Sequence, residues 1–550
     1  MGELESLHRP EPSPAGNLAG VRRQCRSVHA ALCGENAASQ FRRRADLYGC
    51  HLMLAGQILQ KLSVGSSVAE HDQALQRYFV ETATFRALVK DDTDIIAGDK
   101  GTGKTALYRI LQDRSTELPE LRDIEVIAAF NPVGNPVFQK LADADALPEG
   151  EYVGIWKAYV VALAGNWILT AFEGEYTDNM KELDSILRST GLRTADESAS
   201  TVFSQLVNLV RRLSKPSSAE IAITWTPHGI PIVAPRVEFT DESKTEVARI
   251  EHDRALGVLN AVLDEVGYSV WLVLDRLDEA FQGFPNAEVP ALRALLRTYL
   301  DLQAFPRVRL KLFVRKDLFR RIIAGGFVNL THVNARKVEI IWDDEDLFDL
   351  LCRRLEENPG LLDDLGMTGR ARADIFAAVF PPKVDPAERK PTTWNWMLSR
   401  IRDGNNIKPP RNLIDLVKKA QEAQARREAR EEREYDGQPL IGSDALKRGL
   451  EALSNERVED TLLAEAGEYA PLVERFRGGK AEHNLDSLAA TLDRTDDETK
   501  GLLQPLKDVG FLEPVGANFK IPMLYRSGLA ITQGAAFAKT ASDAADDDEE

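Results

Sequence analysis

The sequence predicts an α/β protein whose core is a parallel β-sheet covered by helices on both faces. Apolar runs of strand length occur at 95–97, 124–130, 270–274, 310–314 and 338–342. Most of these runs are separated by segments in which apolar residues recur at helical spacing. Buried strands that alternate with helices are typical of a parallel sheet, because each crossover connection needs a helix. Hydrophobic residues make up 43% of the chain, which is enough to build such a core.

Length, charge and cysteine content limit the possible functions. The chain has 550 residues and a formal net charge of −17. This charge excludes a protein coated with positive charge for nucleic acid, so such contact would need a local basic patch. The four cysteines are too few for a disulfide scaffold and favour a reducing compartment. We find no apolar stretch of membrane-spanning length and no secretory signal, and we expect a cytoplasmic protein that does not contact a membrane.

Composition and periodicity divide the chain into six predicted segments. Three prolines and small arginine clusters near the start favour a mobile tail over an arm that binds nucleic acid or lipid. Charges of both signs at i, i+4 spacing over 411–434 favour a solvated helix or a connector over a binding element. The six segments are a disordered tail at 1–45, a helical segment at 46–92, a core with inserted helices and a β-hairpin (217–240) at 93–344, a helical lid at 345–435, a winged-helix-like domain at 436–530 and a disordered acidic tail at 531–550.

A glycine-rich segment between the first predicted strand and the next helix gives the strongest chemical signal. It reads Gly98, Asp99, Lys100, Gly101, Thr102, Gly103, Lys104, Thr105 and matches the pattern G-x-x-x-x-G-K-[ST] of a phosphate-binding loop. The glycines let backbone N–H groups curl around phosphate oxygens, and the helix start, which includes Ala106, adds partial positive charge. We expect Lys104 to bind the β- and γ-phosphates and the Thr105 hydroxyl to ligate Mg²⁺. The alternative is a plain glycine-rich turn with an exposed lysine.

Charged residues after two later strands fit the same chemistry. Asp275 ends the apolar run 270–274, where a carboxylate can hold Mg²⁺ through water. Asp278 and Glu279 follow within one helical turn and are candidates to orient the attacking water. Arg315 ends the next apolar run and is a candidate to sense the γ-phosphate. The alternatives are a solvated turn for the acids and a surface position for the arginine.

Three further arginines are candidates whose alternatives stay open. Arg320 and Arg321 lie in the predicted helix after Arg315, and either one could act on a nucleotide held by a neighbouring subunit. Arg411 lies in the first turn of a helix that follows two prolines. It either reaches back to the nucleotide or belongs to an ordinary helix start.

The region 480–530 has the element order of a winged helix. Two predicted helices, at 485–492 and 496–508, precede two short strands, at 511–514 and 518–521. The second helix carries four acids against two lysines, whereas a helix that reads DNA presents Lys and Arg. This charge favours a structural or protein-contact module over DNA reading.

In this order the motifs resemble the AAA+ and STAND branch of the P-loop NTPases. The phosphate loop is followed by the acidic strand end at 275–279, a strand that ends in Arg315, the helix start at Arg411 and the winged-helix-like region. With the segments 69–70 and 78–80 included, the chain is similar to a poorly characterised bacterial family of P-loop ATPases over about residues 55–530. That family often has Arg where this chain has Asp99.

The resemblance implies a fold, two cofactors and a class of function. The fold is a parallel-sheet P-loop NTPase core with a helical lid and a C-terminal winged-helix-like domain, and the cofactors are ATP and Mg²⁺. Members of this branch commonly act as nucleotide-driven switches, some of them in bacterial defence against phage.

We therefore predict a Mg²⁺-dependent ATPase that acts as a molecular switch, with a second copy of itself or an effector protein as its partner. One alternative is a DNA-associated AAA+ ATPase of the initiator or transposition type, with nucleic acid bound by the C-terminal domain. The other is a nucleotide-binding scaffold that does not hydrolyse ATP.

Overall fold

The computed structural model describes residues 53–130, 147, 149–193, 221–225, 231–235, 252–280, 285–324 and 326–538. The tail predicted at 1–45 lies outside these residues, as do the last twelve residues of the tail predicted at 531–550.

A five-stranded parallel sheet forms the core, in the strand order β2-β5-β6-β1-β7. This arrangement confirms the predicted fold class. Strand β6 lies between β1 and β5, so the strand that leads into the phosphate loop is two positions away from the strand that ends at Asp275. A separate antiparallel pair, β3 and β4, lies within the predicted hairpin region. The strands are β1 (Ile95–Gly98), β2 (Ile124–Phe130), β3 (Ile221–Trp225), β4 (Pro231–Pro235), β5 (Ser269–Leu274), β6 (Val308–Arg315) and β7 (Lys337–Glu339).

Both faces of the sheet are buried, as the continuous apolar runs predict. Trp271 and Val273 of β5 pack with Phe313 of β6 in one apolar cluster. Their neighbours Leu272 and Leu312 pack in a second cluster on the opposite face. Alternation of side chains along each strand produces this division. The helices of the N-terminal segment and core are α1 (Ala55–Leu59), α2 (Ala83–Val89), α3 (Lys104–Arg114), α4 (Glu149–Ala171), α5 (Asp178–Ser189), α6 (His252–Val266), α7 (Leu277–Ala280), α8 (Pro285–Asp301), α9 (Lys316–Ile323) and α10 (Leu330–Ala335).

Helix α4 is long and apolar enough, by length and composition, to cross a membrane. In the folded protein 72% of its apolar window is buried. Trp156 and Tyr159 of this helix belong to the larger apolar cluster under the sheet, and the Trp156 indole donates a hydrogen bond to the Ala291 carbonyl of α8 at 2.8 Å. The helix therefore packs as a core helix.

The lid region consists of five helices beside the sheet. They are α11 (Asp344–Glu356), α12 (Pro359–Leu365), α13 (Arg372–Val379), α14 (Thr393–Ile401) and α15 (Pro410–Glu428). The expectation of a solvated helix at 411–434 is wrong over most of its length. One face of α15, with Leu413, Leu416 and Val417, is buried in the lid core, and the helix ends at Glu428. The mixed charges describe only its outer face and the residues beyond its end.

The C-terminal region adds a small sheet and six helices. Its strands β8 (Lys480–His483), β9 (Glu513–Val515), β10 (Asn518–Lys520) and β11 (Thr532–Ala535) form the order β11-β8-β10-β9. Its helices are α16 (Ser443–Arg457), α17 (Ala464–Ala466), α18 (Ala470–Glu474), α19 (Leu485–Leu492), α20 (Asp496–Asp508) and α21 (Met523–Arg526). Strand β11 carries this domain beyond the predicted boundary at residue 530.

One apolar core joins the lid to the C-terminal region. Leu413 of α15, Leu446 of α16, Leu488 of α19 and Phe511 belong to the same buried cluster. A shared core of this kind couples the position of the C-terminal region to that of the lid, because packed interiors do not deform freely.

Candidate nucleotide-binding site

The phosphate loop joins the end of β1 to the start of α3, as the motif requires. Gly101 and Gly103 have φ values of 80° and 97°, which side chains with a Cβ rarely adopt. The Thr102 hydroxyl donates a hydrogen bond to the Asp99 carbonyl at 2.8 Å and fixes the bend of the loop. The backbone at Gly103 leads directly into α3, so the positive end of this helix faces the loop.

Lys104 lies inside the loop. Its ammonium donates hydrogen bonds to the carbonyls of Gly98 and Asp99, both at 2.9 Å. Enclosure by the protein lowers the pKa of Lys104, although the charges of nearby carboxylates, Asp275 first among them, oppose this effect. Phosphate oxygens would satisfy the same ammonium without moving it out of the loop.

Asp275 lies beside the loop and contacts it. Its carboxylate lies near the Thr105 hydroxyl, and its side chain is almost fully buried. Burial raises the pKa of Asp275 to about 6, while Thr105 and the charge of Lys104 act in the opposite direction. The Oδ2 atom is buried and has no hydrogen-bond partner.

These features fit a magnesium ion. A buried carboxylate oxygen without a partner is costly unless a cation or donor meets it, and Mg²⁺ prefers oxygen ligands from one or two side chains together with phosphates. Thr105 would ligate the ion directly, and Asp275 would hold it through water.

The residues after Asp275 form an acidic turn. Arg276 has a φ of 55°, a left-handed conformation that is unusual for a side chain with a Cβ. This residue forms ion pairs with Glu70 and, at 3.4 Å, with Glu279. Partial burial raises the pKa of Glu279, and the charge of Arg276 opposes the rise. The conformation directs Asp278 and Glu279 into the cavity beside the phosphate loop.

Arg315 lies next to the loop through the register of the sheet. It is the direct partner of Gly98 in the parallel pairing of β6 with β1. Its guanidinium makes two hydrogen bonds to Asp317, at 3.0 and 3.1 Å, and lies 3.6 Å from Asp278. These carboxylates raise its pKa against the opposing effect of burial, so it stays charged. Its position fits the predicted sensor of the γ-phosphate.

Arg411, at the start of lid helix α15, lies against the loop at Gly101. A Cβ placed on Gly101 would lie only 3.0 Å from the Cβ of Arg411, so the two backbones are close. The Nε atom of Arg411 is buried and has no hydrogen-bond partner. Burial lowers the pKa of Arg411, and the nearby charge of Arg457 lowers it further. A buried N–H donor without a partner, next to the loop, fits the prediction that Arg411 reaches back to the nucleotide.

Arg320 and Arg321 lie away from the loop on α9. Arg320 lies 3.5 Å from Asp508 and Arg321 lies 2.9 Å from Glu288, both within this chain. The cavity does not include either arginine. A role toward a neighbouring subunit stays a prediction.

The remaining predicted site residues lie at or next to a cavity of about 240 Å³. Its lining includes Lys100 to Ala106 of the loop together with Asp275, Asp278, Glu279, Arg315 and Arg411. Its apolar and aromatic lining includes Leu75, Tyr78, Phe79, Val80, Leu107, Leu350 and Ile414. Gly98 and Asp99 lie directly before the lining residues of the loop. The cavity thus brings together the predicted site residues, while their individual roles stay predictions.

Sequence reasoning missed three contributors to this site. The Trp342 indole donates a hydrogen bond to the Thr102 carbonyl at 2.8 Å and lines the same cavity as the loop. Arg354 of α11 pairs with buried Asp72 at 3.1 Å and joins the lid to the segment before α2. Trp342 stood at the end of a predicted strand, but no local pattern marked its contact, because β7 stops at Glu339 and the chain then turns toward the loop.

The combination of the loop, the strand order and the carboxylate after β5 decides the fold. The chain has the P-loop NTPase fold. In such open sheets the ligand site lies at the carboxyl ends of the strands, which is where this cavity lies.

Comparisons with known proteins give distant similarities. No model of a known protein family matches the chain. A putative transposon gamma-delta 80.3 kDa protein of Escherichia coli (strain K12) is 23% identical over 308 residues. The match covers 53% of this chain, and the chain spans only 39% of the length of that relative.

Three solved structures are similar over most of their length. The ORC1 protein of Aeropyrum pernix, solved in complex with DNA, is 13% identical with a TM-score of 0.34 and covers 84% of this chain and 96% of its own. The ORC2 protein of the same organism, with ADPNP and ADP, is 14% identical with a TM-score of 0.36 over 83% and 96%. A Walker-type ATPase of Pyrococcus abyssi is 12% identical with a TM-score of 0.36 over 85% and 98%. At this distance the assignment of the fold rests on the strand order and the loop.

Proposed function

We propose that the protein binds and hydrolyses ATP with Mg²⁺ and acts as a nucleotide-driven switch. The observation that supports this most strongly is the buried Asp275 oxygen that has no hydrogen-bond partner, because Asp275 lies beside Lys104 and Thr105 of the loop. Lys104 and the backbone of the loop would bind the phosphates, and Thr105 and Asp275 would hold the metal.

The acidic turn would supply the hydrolytic step. Asp278 and Glu279 line the same cavity, and the raised pKa of Glu279 brings it closer to the range in which a carboxylate accepts a proton from water. Arg315 would stabilise the charge that develops on the γ-phosphate. Arg411 would connect the lid to the nucleotide, so that exchange or hydrolysis shifts the lid together with the C-terminal region.

Steady-state ATP hydrolysis with Mg²⁺ tests this proposal. The wild-type protein should release phosphate, and Lys104→Ala should abolish nucleotide binding or turnover. Lys181→Ala is a matched control, because Lys181 lies on the exposed surface of α5 and pairs only with Asp178 of the same helix. Normal hydrolysis by Lys104→Ala contradicts the proposal. ATP binding with negligible turnover in a single-turnover assay would favour a nucleotide-binding scaffold instead.

A DNA-associated ATPase is the second candidate. The similarity to a protein named for a transposon favours it. The charge of α20 opposes it, since Lys500 is paired with Asp497 at 3.1 Å and acids outnumber bases on this helix. Turnover measured with and without duplex DNA, at two salt concentrations, separates the candidates: stimulation that salt weakens supports the DNA-associated ATPase.

Bacterial defence against phage is the finer form of the switch proposal and rests on the resemblance alone. Its partner would be a second copy of the chain or an effector protein. Phage challenge of bacteria that express wild-type protein or Lys104→Ala tests it. Equal survival of both strains contradicts a nucleotide-dependent role in defence.

A further inference from the structure

A carboxylate from the C-terminal region contacts two cations that line the candidate nucleotide site. Glu465 belongs to α17, which follows a π-helical turn at Val458–Leu463. Its Oε1 atom lies 3.5 Å from the ammonium of Lys100 and 3.3 Å from the guanidinium of Arg315. The Lys100 ammonium also donates a hydrogen bond to the carbonyl of Asp460, at 3.4 Å. Residues about 360 positions apart thus meet at the phosphate loop.

The contact depends on charge. Oε1 of Glu465 is buried, and neither of its two cationic neighbours is placed to form a regular hydrogen bond with it. The charge of Glu465 also acts on Arg411, whose pKa it raises against the effect of burial. The carboxylate of Glu465 therefore interacts electrostatically with Lys100, Arg315 and Arg411. It lies on the side of the loop that holds Arg315 and Asp278.

An additional phosphate would compete with this carboxylate. The side of the loop that holds Arg315 and Asp278 is where the terminal phosphate of a triphosphate would lie, since those residues are the candidates to sense it and to orient water. A γ-phosphate and Glu465 are both anions that need the same cations, and like charges at such distances repel strongly in a partly buried site. A diphosphate ends before this point and leaves the ion pairs intact.

We propose that Glu465 sets the preference between nucleotides: with its carboxylate on Lys100 and Arg315, the site favours a nucleoside diphosphate. A triphosphate must displace the carboxylate, and with it the π-helical turn and α17. This inference rests on the proposed function and adds to it the residue through which the C-terminal region distinguishes ATP from ADP. The coupling is reciprocal, so anything that pulls α17 away strengthens ATP binding.

The dissociation constants of ADP and of a non-hydrolysable ATP analogue, measured with Mg²⁺ by competition against a fluorescent nucleotide, test the proposal. Glu465→Gln keeps the shape and removes the charge. It should shift the ratio of the two constants in favour of the triphosphate by roughly five- to hundredfold, the usual range of coupling between sites. Glu459→Gln removes a charge from an exposed position of the same π-helical turn and should leave the ratio unchanged. Binding of both nucleotides with an unchanged ratio in Glu465→Gln overturns the inference alone.

A second measurement uses the wild-type chain and does not depend on the folding of a variant. Backbone amides of residues 458–466 should exchange hydrogen faster with the bound triphosphate analogue than with bound ADP. Equal exchange in the two states contradicts the displacement of Glu465. A wild-type protein that binds neither nucleotide overturns the proposed function and this inference together.

Discussion

The hydroxyl of Thr105 lies close enough to the carboxylate of Asp275 to lower its pKa. These residues are 170 positions apart in the chain, and strand β6 separates the strands that lead to them. The contact is possible because the carboxyl ends of parallel strands meet at one edge of the sheet, where α3 begins above them. Both side chains line the same cavity, so they can hold a single magnesium ion.

Asp275 should make the metal-free protein less stable as the pH rises. Its pKa is about 6 in the folded protein and 3.8 ordinarily, so between these values the folded state binds the proton more tightly than the unfolded state. The stability gained from protonation is therefore lost as the pH rises toward and through 6. Relative to Asp275→Asn, the wild-type protein should lose about 1 kcal/mol between pH 5 and pH 7. Urea unfolding with a chelator measures this difference, and a difference that does not vary with pH contradicts the burial of an ionisable Asp275.

Arg315→Ala should impair turnover far more than binding of ADP. Loss of a group that stabilises developing charge typically costs roughly 10²- to 10³-fold in turnover, whereas a diphosphate does not reach Arg315. Single-turnover hydrolysis and ADP affinity are the measurements. Arg307→Ala, at the opposite end of β6, is the control, because Arg307 pairs only with Asp264 on the surface. Equal losses in ADP affinity and turnover would contradict a role at the γ-phosphate.

Arg411→Ala should weaken ATP binding. A charge-assisted hydrogen bond contributes about 1.5–3 kcal/mol, which corresponds to roughly ten- to hundredfold in affinity. Arg426→Ala, in an exposed part of the same helix, should bind ATP like the wild-type protein. Calorimetric titration with ATP compares the three proteins. Unchanged affinity in Arg411→Ala would show that this arginine only begins a helix.

Gly101→Ala should both destabilise the loop and reduce nucleotide binding. The residue has a φ of 80°, and a Cβ would lie 3.0 Å from that of Arg411. A left-handed residue with a Cβ costs about 1–2 kcal/mol. Gly501→Ala is a control with the opposite sign, because Gly501 lies in helix α20 with open space around it. That change should stabilise the protein by about 0.5–1 kcal/mol. Thermal unfolding of both variants tests the difference in sign.

Local patterns predicted the core sheet well because its chemistry is local. The run at 95–97 leads into the loop motif, and the run at 270–274 ends in a carboxylate. Each of these strands is therefore next to functional residues in the sequence. These neighbouring functional residues do not predict the order of the strands in the sheet. It follows from which apolar faces pack together, and the placement of β6 between β1 and β5 is a property of the whole sheet.

Sequence patterns did not predict the contacts between segments that are distant in the chain. The lid helix α15 has charged residues along its outer face that suggested a solvated helix, yet Leu413, Leu416 and Val417 bury its other face. Glu465 gave no signal at all, since one glutamate in a charged helical segment resembles any other. The contacts of Glu465 depend on the packing of the C-terminal region against the lid and on the position of Lys100.

The affinity for ATP with and without Mg²⁺, in the wild-type protein and in Asp275→Asn, tests the central claim most directly. If the phosphate loop and Asp275 hold one metal-bound triphosphate, Mg²⁺ should strengthen ATP binding to the wild-type protein, and Asp275→Asn should lose most of this gain while it still binds ATP without metal. An equal effect of Mg²⁺ on both proteins would contradict the claim.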